Sequence, residues 1–416
     1  MFKTICSGTV FALLYPAASL HARALFDEAS AQLTTRNYFF SREFSDIVGN
    51  NPQHKSQEWA QGFILHARSG YESLGPVQWG VDVLGLWGLK LDSTRRHANT
   101  GLLPVNRHGD AESSYGRFAP TLKLRYQQTE LRIGELQPNL PILLFSDIRL
   151  LPPSYQGVSV QSTAIPKLTL QAGHLTSTSL RNQSGHDHMV AMLGHVPQFQ
   201  AHGSAFNYAG GDYQLTEQAQ LSAWYGQLRE IYQQSFVGYK QQIPFKHWRL
   251  GINVGYYHTQ EQGQARLGNL DNQALFTMLS AHWGGHSAHV GYQAMFGDSP
   301  FVRIFANASP LGNEAPTYKF SSTQERSWQI RYEYDFAAHG LPGLTSSVRY
   351  IRGSNVKTQL GFRGKDQERD IDLGYVVQSG PLQGLGVRLR NAKAWSTYRS
   401  DINENRLIFS YTWQLL

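Results

Sequence analysis

The stretch Ile371–Trp395, "IDLGYVVQSGPLQGLGVRLRNAKAW", reads as two strands around a Gly/Pro turn. In its second strand Arg388 and Arg390 share one face, while Val387 and Leu389 share the other, because side chains alternate along a strand. Such a sheet separates two surroundings, one wet and one apolar. The same period recurs along the chain. In "SWQIRYEYDF", Trp328, Ile330, Tyr332, Tyr334 and Phe336 oppose Gln329, Arg331, Glu333 and Asp335. "WRLGINVGYY" sets Trp248, Leu250, Ile252, Val254 and Tyr256 against Arg249, Gly251, Asn253 and Gly255. Near the C-terminus, Leu407, Phe409, Tyr411, Trp413 and Leu415 oppose Arg406, Ser410, Thr412 and Gln414.

A soluble sandwich also alternates, so strand length and aromatic placement carry the distinction. Soluble strands usually run about 5–6 residues. These segments run about ten, the length that crosses a bilayer at a tilt. All nine Trp lie in or beside such segments, as aromatic girdles at two membrane interfaces would place them. Backbone groups in hydrocarbon must all be paired, so the sheet has to close. The expected fold is therefore all-β, a transmembrane antiparallel barrel of about eighteen strands.

The first nine strands are expected near 36–46, 58–70, 77–91, 116–127, 129–137, 156–163, 168–175, 204–210 and 219–228. The other nine are expected near 231–240, 247–258, 273–283, 286–296, 324–336, 343–352, 369–378, 383–393 and 404–414. Short links such as "GGHS" and "QSGPLQG" alternate with long ones at 92–115, 138–155, 176–203, 259–272, 297–323 and 353–368. Long extracellular loops and short periplasmic turns follow this pattern. Inward glycines such as Gly251, Gly255 and Gly374 are expected to leave space in the lumen.

The N-terminus places the barrel in a compartment. Lys3, the apolar "TVFALLYPAASL" and Ala22-Arg23-Ala24 read as a cleaved signal peptide over residues 1–24. Residues 25–416 then form a single barrel domain. Cleavage removes Cys6, the only cysteine, so disulfides are excluded from the mature chain. A formal charge of +7 suits anionic solutes or membrane, and export argues against nucleic acid.

The residues now resemble a known family, the OprD family of substrate-specific outer-membrane porins, over essentially the whole mature chain. The resemblance is carried by "NYFFSREFSD", "WAQGFILHARSGY", "WGVDVLGLWGLKLDS" and "TGLLPVNRHGD". "GELQPNLPILLFSDIRLLPPSYQGV", "LTLQAGHLTSTSLRN", "FNYAGGDYQLT" and "ERSWQIRYEYDFAAHGLPGLTSSVRYIRGSN" continue it. "DIDLGYVVQSGPLQGLGVRLRNAK" and "NENRLIFSY" complete it in order. It implies an eighteen-strand barrel, loops folded inward to constrict the pore, and a basic ladder guiding a carboxylate along the wall. Arg388 and Arg390 match the ladder's paired arginines, and Arg406 the arginine of the last strand. Arg149 and Tyr155 fall in the stretch resembling the constriction loop, and Asp298 begins the loop facing it. Lys123 and Arg125 are lumen-side by alternation and would extend the ladder. Two departures stand out: Gln137-Pro138 replaces the family's "RP", and the chain ends "YTWQLL" rather than in an aromatic.

The resemblance implies passive uptake of small carboxylate-bearing nutrients, with small anionic or zwitterionic solutes, outer-membrane lipid and lipopolysaccharide as partners. A monomer or loose trimer is expected. Alternatives are a channel for basic amino acids or small peptides, using Asp298, Asp370 and Asp372, and an outer-membrane barrel hydrolase. G-x-S-x-G, HExxH and Walker motifs are absent, so the chain is not expected to be an enzyme. No cofactor is expected. His186 and His188 in "GHDHM" lack a third nearby ligand, so no metal is expected either.

Overall fold

The structure, a computed structural model, describes residues 22–46, 53–308, 310–359 and 361–416. Most of the expected leader, residues 1–24, lies outside the described residues. A helical turn at Ala22–Asp27 spans the expected cleavage point.

Eighteen long antiparallel strands follow. The first six are β1 (Ser30–Ser45), β2 (Lys55–Arg68), β3 (Val77–Ser93), β4 (Ser114–Tyr126), β5 (Thr129–Leu136) and β6 (Ser154–Ile165). Next come β7 (Leu168–Ser179), β8 (Phe206–Thr216), β9 (Ala219–Leu228), β10 (Tyr232–Pro244), β11 (Arg249–Glu261) and β12 (Asp271–Trp283). The last six are β13 (His286–Gly297), β14 (Arg326–Asp335), β15 (Leu344–Lys357), β16 (Arg363–Val376), β17 (Gly386–Ser396) and β18 (Asp401–Gln414). Each pairs with its neighbour in sequence, and β18 returns to β1 from Gln32↔Gln414 to Ser45↔Asp401. The barrel is closed, and all eighteen expected segments overlap these strands. No helix among the described residues is long and apolar enough to cross a membrane.

The outward face is apolar and uncovered: Phe118, Val237, Val290, Ile330 and Leu389 are among its exposed residues. So much bare hydrocarbon around a closed sheet requires lipid rather than water. Most tryptophans follow this rule, with Trp59, Trp87, Trp248, Trp283, Trp328 and Trp413 exposed. Trp224 does not. It faces inward, buried, with its indole N–H 3.4 Å from Asp212 Oδ1.

Loops fill much of the lumen. Segments 137–153 and 298–325 fold inward and join where Ala308 N donates to Leu144 O at 3.0 Å. The loop 180–205 contributes Met189–Leu193 and Val196–Gly203, which form a three-stranded sheet with Val302–Ile304. Apolar clusters cement these loops to the wall. Tyr155, Phe206, Tyr257, Phe276 and Phe301 lie in one cluster; Tyr38, Phe40, Leu102, Leu103 and Leu150 lie in another. This inward packing corrects two expectations. A Cβ on Gly255 would stand 2.3 Å from the Phe276 ring, and one on Gly251 2.3 Å from Ser280 Oγ. Those glycines admit neighbouring side chains instead of leaving open space. The long loop expected at 353–368 is shorter, because β15 and β16 continue pairing as far as Lys357↔Arg363, around a bulge after Gly353.

Candidate functional site

Register decides which charges meet. Across β14 and β15, Arg331 faces Arg349, and across β15 and β16, Arg349 faces Asp370. One step along, Asp372 on β16 faces Arg390 on β17, which faces Arg406 on β18. Directly opposed residues in an antiparallel pair share a sheet face. Five strands thus present one inward field, with the Asp370 and Asp372 carboxylates of β16 flanked by two arginine-bearing strands on either side.

Asp372 is its hinge. Its carboxylate accepts Arg388 Nε at 2.8 and 3.0 Å and Arg390 Nε at 2.6 Å. Neither terminal guanidinium nitrogen of Arg388 or Arg390 makes a hydrogen bond among the described residues. Both arginines are therefore held by one nitrogen, and their terminal donors have no protein partner among the described residues. Arg349 binds Asp370 through Nε at 2.8 Å and Nη2 at 2.6 Å, and its Nη1 donates to Glu314 O at 2.9 Å, anchoring loop 298–325. Arg406 donates from Nε to Glu404 at 2.6 Å, and Arg42 reaches the same carboxylate at 2.5 Å.

These groups border a cavity of about 410 Å³. Arg331, Arg349, Arg388, Arg390 and Arg406 line its barrel wall. Ile148, Ala308, Leu311, Gly312, Ala315 and Pro316 from the two inward loops form the facing, largely apolar wall. Lys319 also reaches it, tied to Glu314 at 2.7 Å. Burial, only partly offset by Glu314, lowers the Lys319 ammonium below its ordinary value.

The remaining sequence candidates sit elsewhere. Arg149 is buried over Phe40, 4.8 Å from the ring centroid, donating to Thr100 O at 3.3 Å and Ile148 O at 3.2 Å. Burial, then Arg406 and Arg181 nearby, pulls its guanidinium well below the ordinary range. Tyr155 is fully buried, and its hydroxyl donates to Asn307 Oδ1 at 2.6 Å, tying the start of β6 to loop 298–325. Lys123 and Arg125 lie near the short-turn end. Lys123 meets Asp82 at 2.7 Å, and Arg125 stacks 3.6 Å from the Tyr71 ring centroid. Asp298 is at the rim, paired with Lys357 at 2.9 Å; that lysine holds its carboxyl below the usual range. The geometry thus gathers Arg388, Arg390 and Arg406, and leaves the other five outside this cavity.

Two residues that sequence reasoning passed over join the cavity. Arg349 alternates with Val348 and Tyr350, so its lumenal side was legible. Lys319 comes from a loop with no periodicity to reveal it. The clamp at Arg36 had no local signal either: it donates to Asp147 at 2.6 and 2.9 Å and to Arg149 O at 2.7 Å, pinning loop 137–153 to β1.

Comparison with known proteins agrees with this fold. A family model described as "outer membrane porin, OprD family" matches residues 23–415. The porin-like protein GalP of Pseudomonas putida is 39% identical over 409 residues, covering 96% of each chain. The crystal structure of Pseudomonas aeruginosa OccK9 (OpdG) superposes with a TM-score of 0.90 at 43% identity, covering 94% of this chain and 100% of that one. Pseudomonas aeruginosa OpdK, crystallised with vanillate, gives 0.87 at 39% identity, again covering 94% and 100%. Alike in sequence and barrel over nearly its full length, the chain belongs to the OprD family of outer-membrane porins.

Proposed function

We propose that the pore conducts small solutes bearing a carboxylate, passed along Arg388 and Arg390, with Arg331 and Arg349 beside them and the buried Arg406 adding its positive field from the wall. The observation that carries this reading is the pair of guanidinium groups held by Asp372 through Nε alone. Their terminal nitrogens present the planar fork that meets a carboxylate with two parallel hydrogen bonds. The apolar loop residues that line the same cavity suit a solute whose remainder is hydrocarbon or an aromatic ring. OpdK was crystallised with vanillate, an example of that chemistry in a relative.

Weak stations in series suit a channel, because a guest bound too tightly would block it. Millimolar affinity corresponds to about 4 kcal/mol, within reach of two charge-assisted hydrogen bonds in a wet pore. A basic-amino-acid channel has less support, since Asp370 and Asp372 are already engaged by Arg349, Arg388 and Arg390.

Swelling of liposomes containing the purified protein tests the reading. Vanillate should permeate faster than arginine or a neutral sugar at equal osmolarity. Arg388→Ala combined with Arg390→Ala should cut vanillate flux by about tenfold, the loss of roughly one charge-assisted contact. Unchanged vanillate flux in a folded double mutant would remove the ladder from the mechanism.

A further inference from the structure

A second cavity of about 430 Å³ lies on the other side of loop 137–153. The loop tip divides the two chambers: Ile148 borders the ladder cavity, and the adjacent Asp147 borders this one. Its barrel wall comes from β1 to β5. Register stacks its inward residues toward the short-turn end, with Thr34 opposite Ile64, Gln32 opposite His66 and Ser30 opposite Arg68. Arg68 in turn faces Asp82 on β3.

The charges around this chamber are engaged, with one exception. Arg36 grips Asp147 at 2.6 and 2.9 Å. Arg132 donates to Glu130 at 2.5 Å, Asp82 holds the Lys123 ammonium at 2.7 Å, and Glu135 meets His186 at 2.9 Å. Arg68 is exposed into the chamber, yet among the described residues it makes no hydrogen bond and no ion pair. Its cross-strand neighbour Asp82, the obvious partner, is taken by Lys123. A guanidinium carries five donors and stays charged at any working pH. On a concave wall where each carboxylate already has a protein partner, it is the one guanidinium without one among the described residues.

We infer that Arg68 is the centre of a second carboxylate station, separate from the Arg388–Arg390–Arg406 wall and near the short-turn end of the lumen. The inference rests on the carboxylate reading above and adds a binding site to it. A carboxylate there receives the Arg68 fork, with the imidazole of His66 on the same strand face and the hydroxyls of Thr34 and Thr121 bordering the same space. A solute leaving the constriction thus finds receptive guanidinium groups on two walls, and the pore holds two guests rather than one.

Single-channel recording in planar bilayers tests this, with vanillate titrated against a potassium chloride current. The wild-type protein should show two saturable phases of current reduction. Arg68→Gln should remove one phase, or weaken its dissociation constant by at least about tenfold, and leave the other in place. Arg388→Ala with Arg390→Ala should do the reverse. Arg68→Lys, which keeps the charge and loses the fork, should retain the second phase in weakened form. Heat-dependent migration on a gel confirms that each variant is a folded barrel. A single phase in the wild type, or two phases that Arg68→Gln leaves unaltered, overturns the second station while sparing the ladder. A wild-type channel indifferent to vanillate sinks the carboxylate reading and this station with it.

Discussion

Arg388 and Arg390 show how one carboxylate holds two cations side by side. Asp372 holds both guanidinium groups through Nε, so on the proposed reading neither would have to be reorganised when a carboxylate arrives. The same scale separates residues that meet solute from residues that hold the frame. Tyr155 belongs to the second kind. Its buried hydroxyl bridges to Asn307, and without it the Asn307 oxygen loses its donor. Tyr155→Phe should lower stability by about 1–2 kcal/mol. It should also make the open-channel current noisier, because loop 298–325 is tied less firmly. Thermal unfolding read beside current variance checks both effects; a quiet channel of unchanged stability would deny Tyr155 that role. Asp298 is a contrast, because its carboxylate and Lys357 pair in full solvent at the rim, where screening leaves little net interaction.

Among elements, β10 to β12 show what alternation does and does not reveal. Outward Val237, Tyr256 and Leu275 face lipid, and the period of two exposes them at once. The inward residues are harder to read. Phe236, Tyr257 and Phe276 are as apolar as the lipid face, yet they point inside and pack under the loops. Phe236 and Tyr257 stand 4.5 Å apart by ring centroid, and Gly255 leaves the room that Phe276 and Phe236 occupy. Gly255→Val should therefore cost about 1–3 kcal/mol through overpacking. The midpoint of unfolding in guanidinium should fall while the folded fraction keeps its vanillate flux, since the ladder lies on β14 to β18. No loss of stability would mean that the aromatic cluster has slack to yield. In β15 and β16, residues 353–357 and 363–368 read as loop by polarity, yet they stay in the sheet: Gly353 pairs with Asp366, Val356 with Gly364 and Lys357 with Arg363, around a bulge at 354–355.

For the whole molecule, closure and filling are separate achievements. The β1–β18 seam closes the wall, while three loops meet inside it and make a narrow lumen from a wide one. Glu325, at the end of loop 298–325, reports on that filling. Burial, reinforced by Asp366, raises its carboxyl to about 8, against an ordinary 4.5; Arg399 and a Ser322 N–H oppose the shift. The fold therefore disfavours the charged form. Its contribution to stability is full below about pH 4.5, declines as pH rises, and is lost above about 8. The thermal midpoint should fall between pH 5 and 9 in the native chain. Glu325→Gln, which stays neutral, should flatten that part of the profile, and an identical slope in both proteins would rule the group out.

What the sequence determined by itself was the wall. Lipid outside and water inside impose a period of two on every strand, so "VRLRNAKAW" declares its own faces and places Arg388 and Arg390 in the lumen without any partner in view. The period of two gives the lumenal side of these arginines; their reading as a ladder came from the family resemblance. What only the tertiary structure decided was which lumenal charges remain available. Arg406, Arg390 and Arg68 look equivalent by alternation. Register and loop placement bury Arg406 beside Glu404, hold Arg390 to Asp372 by one nitrogen, and leave Arg68 with its neighbour Asp82 already taken by Lys123. Those outcomes depend on contacts between residues far apart in the chain, and local periodicity carries no record of them.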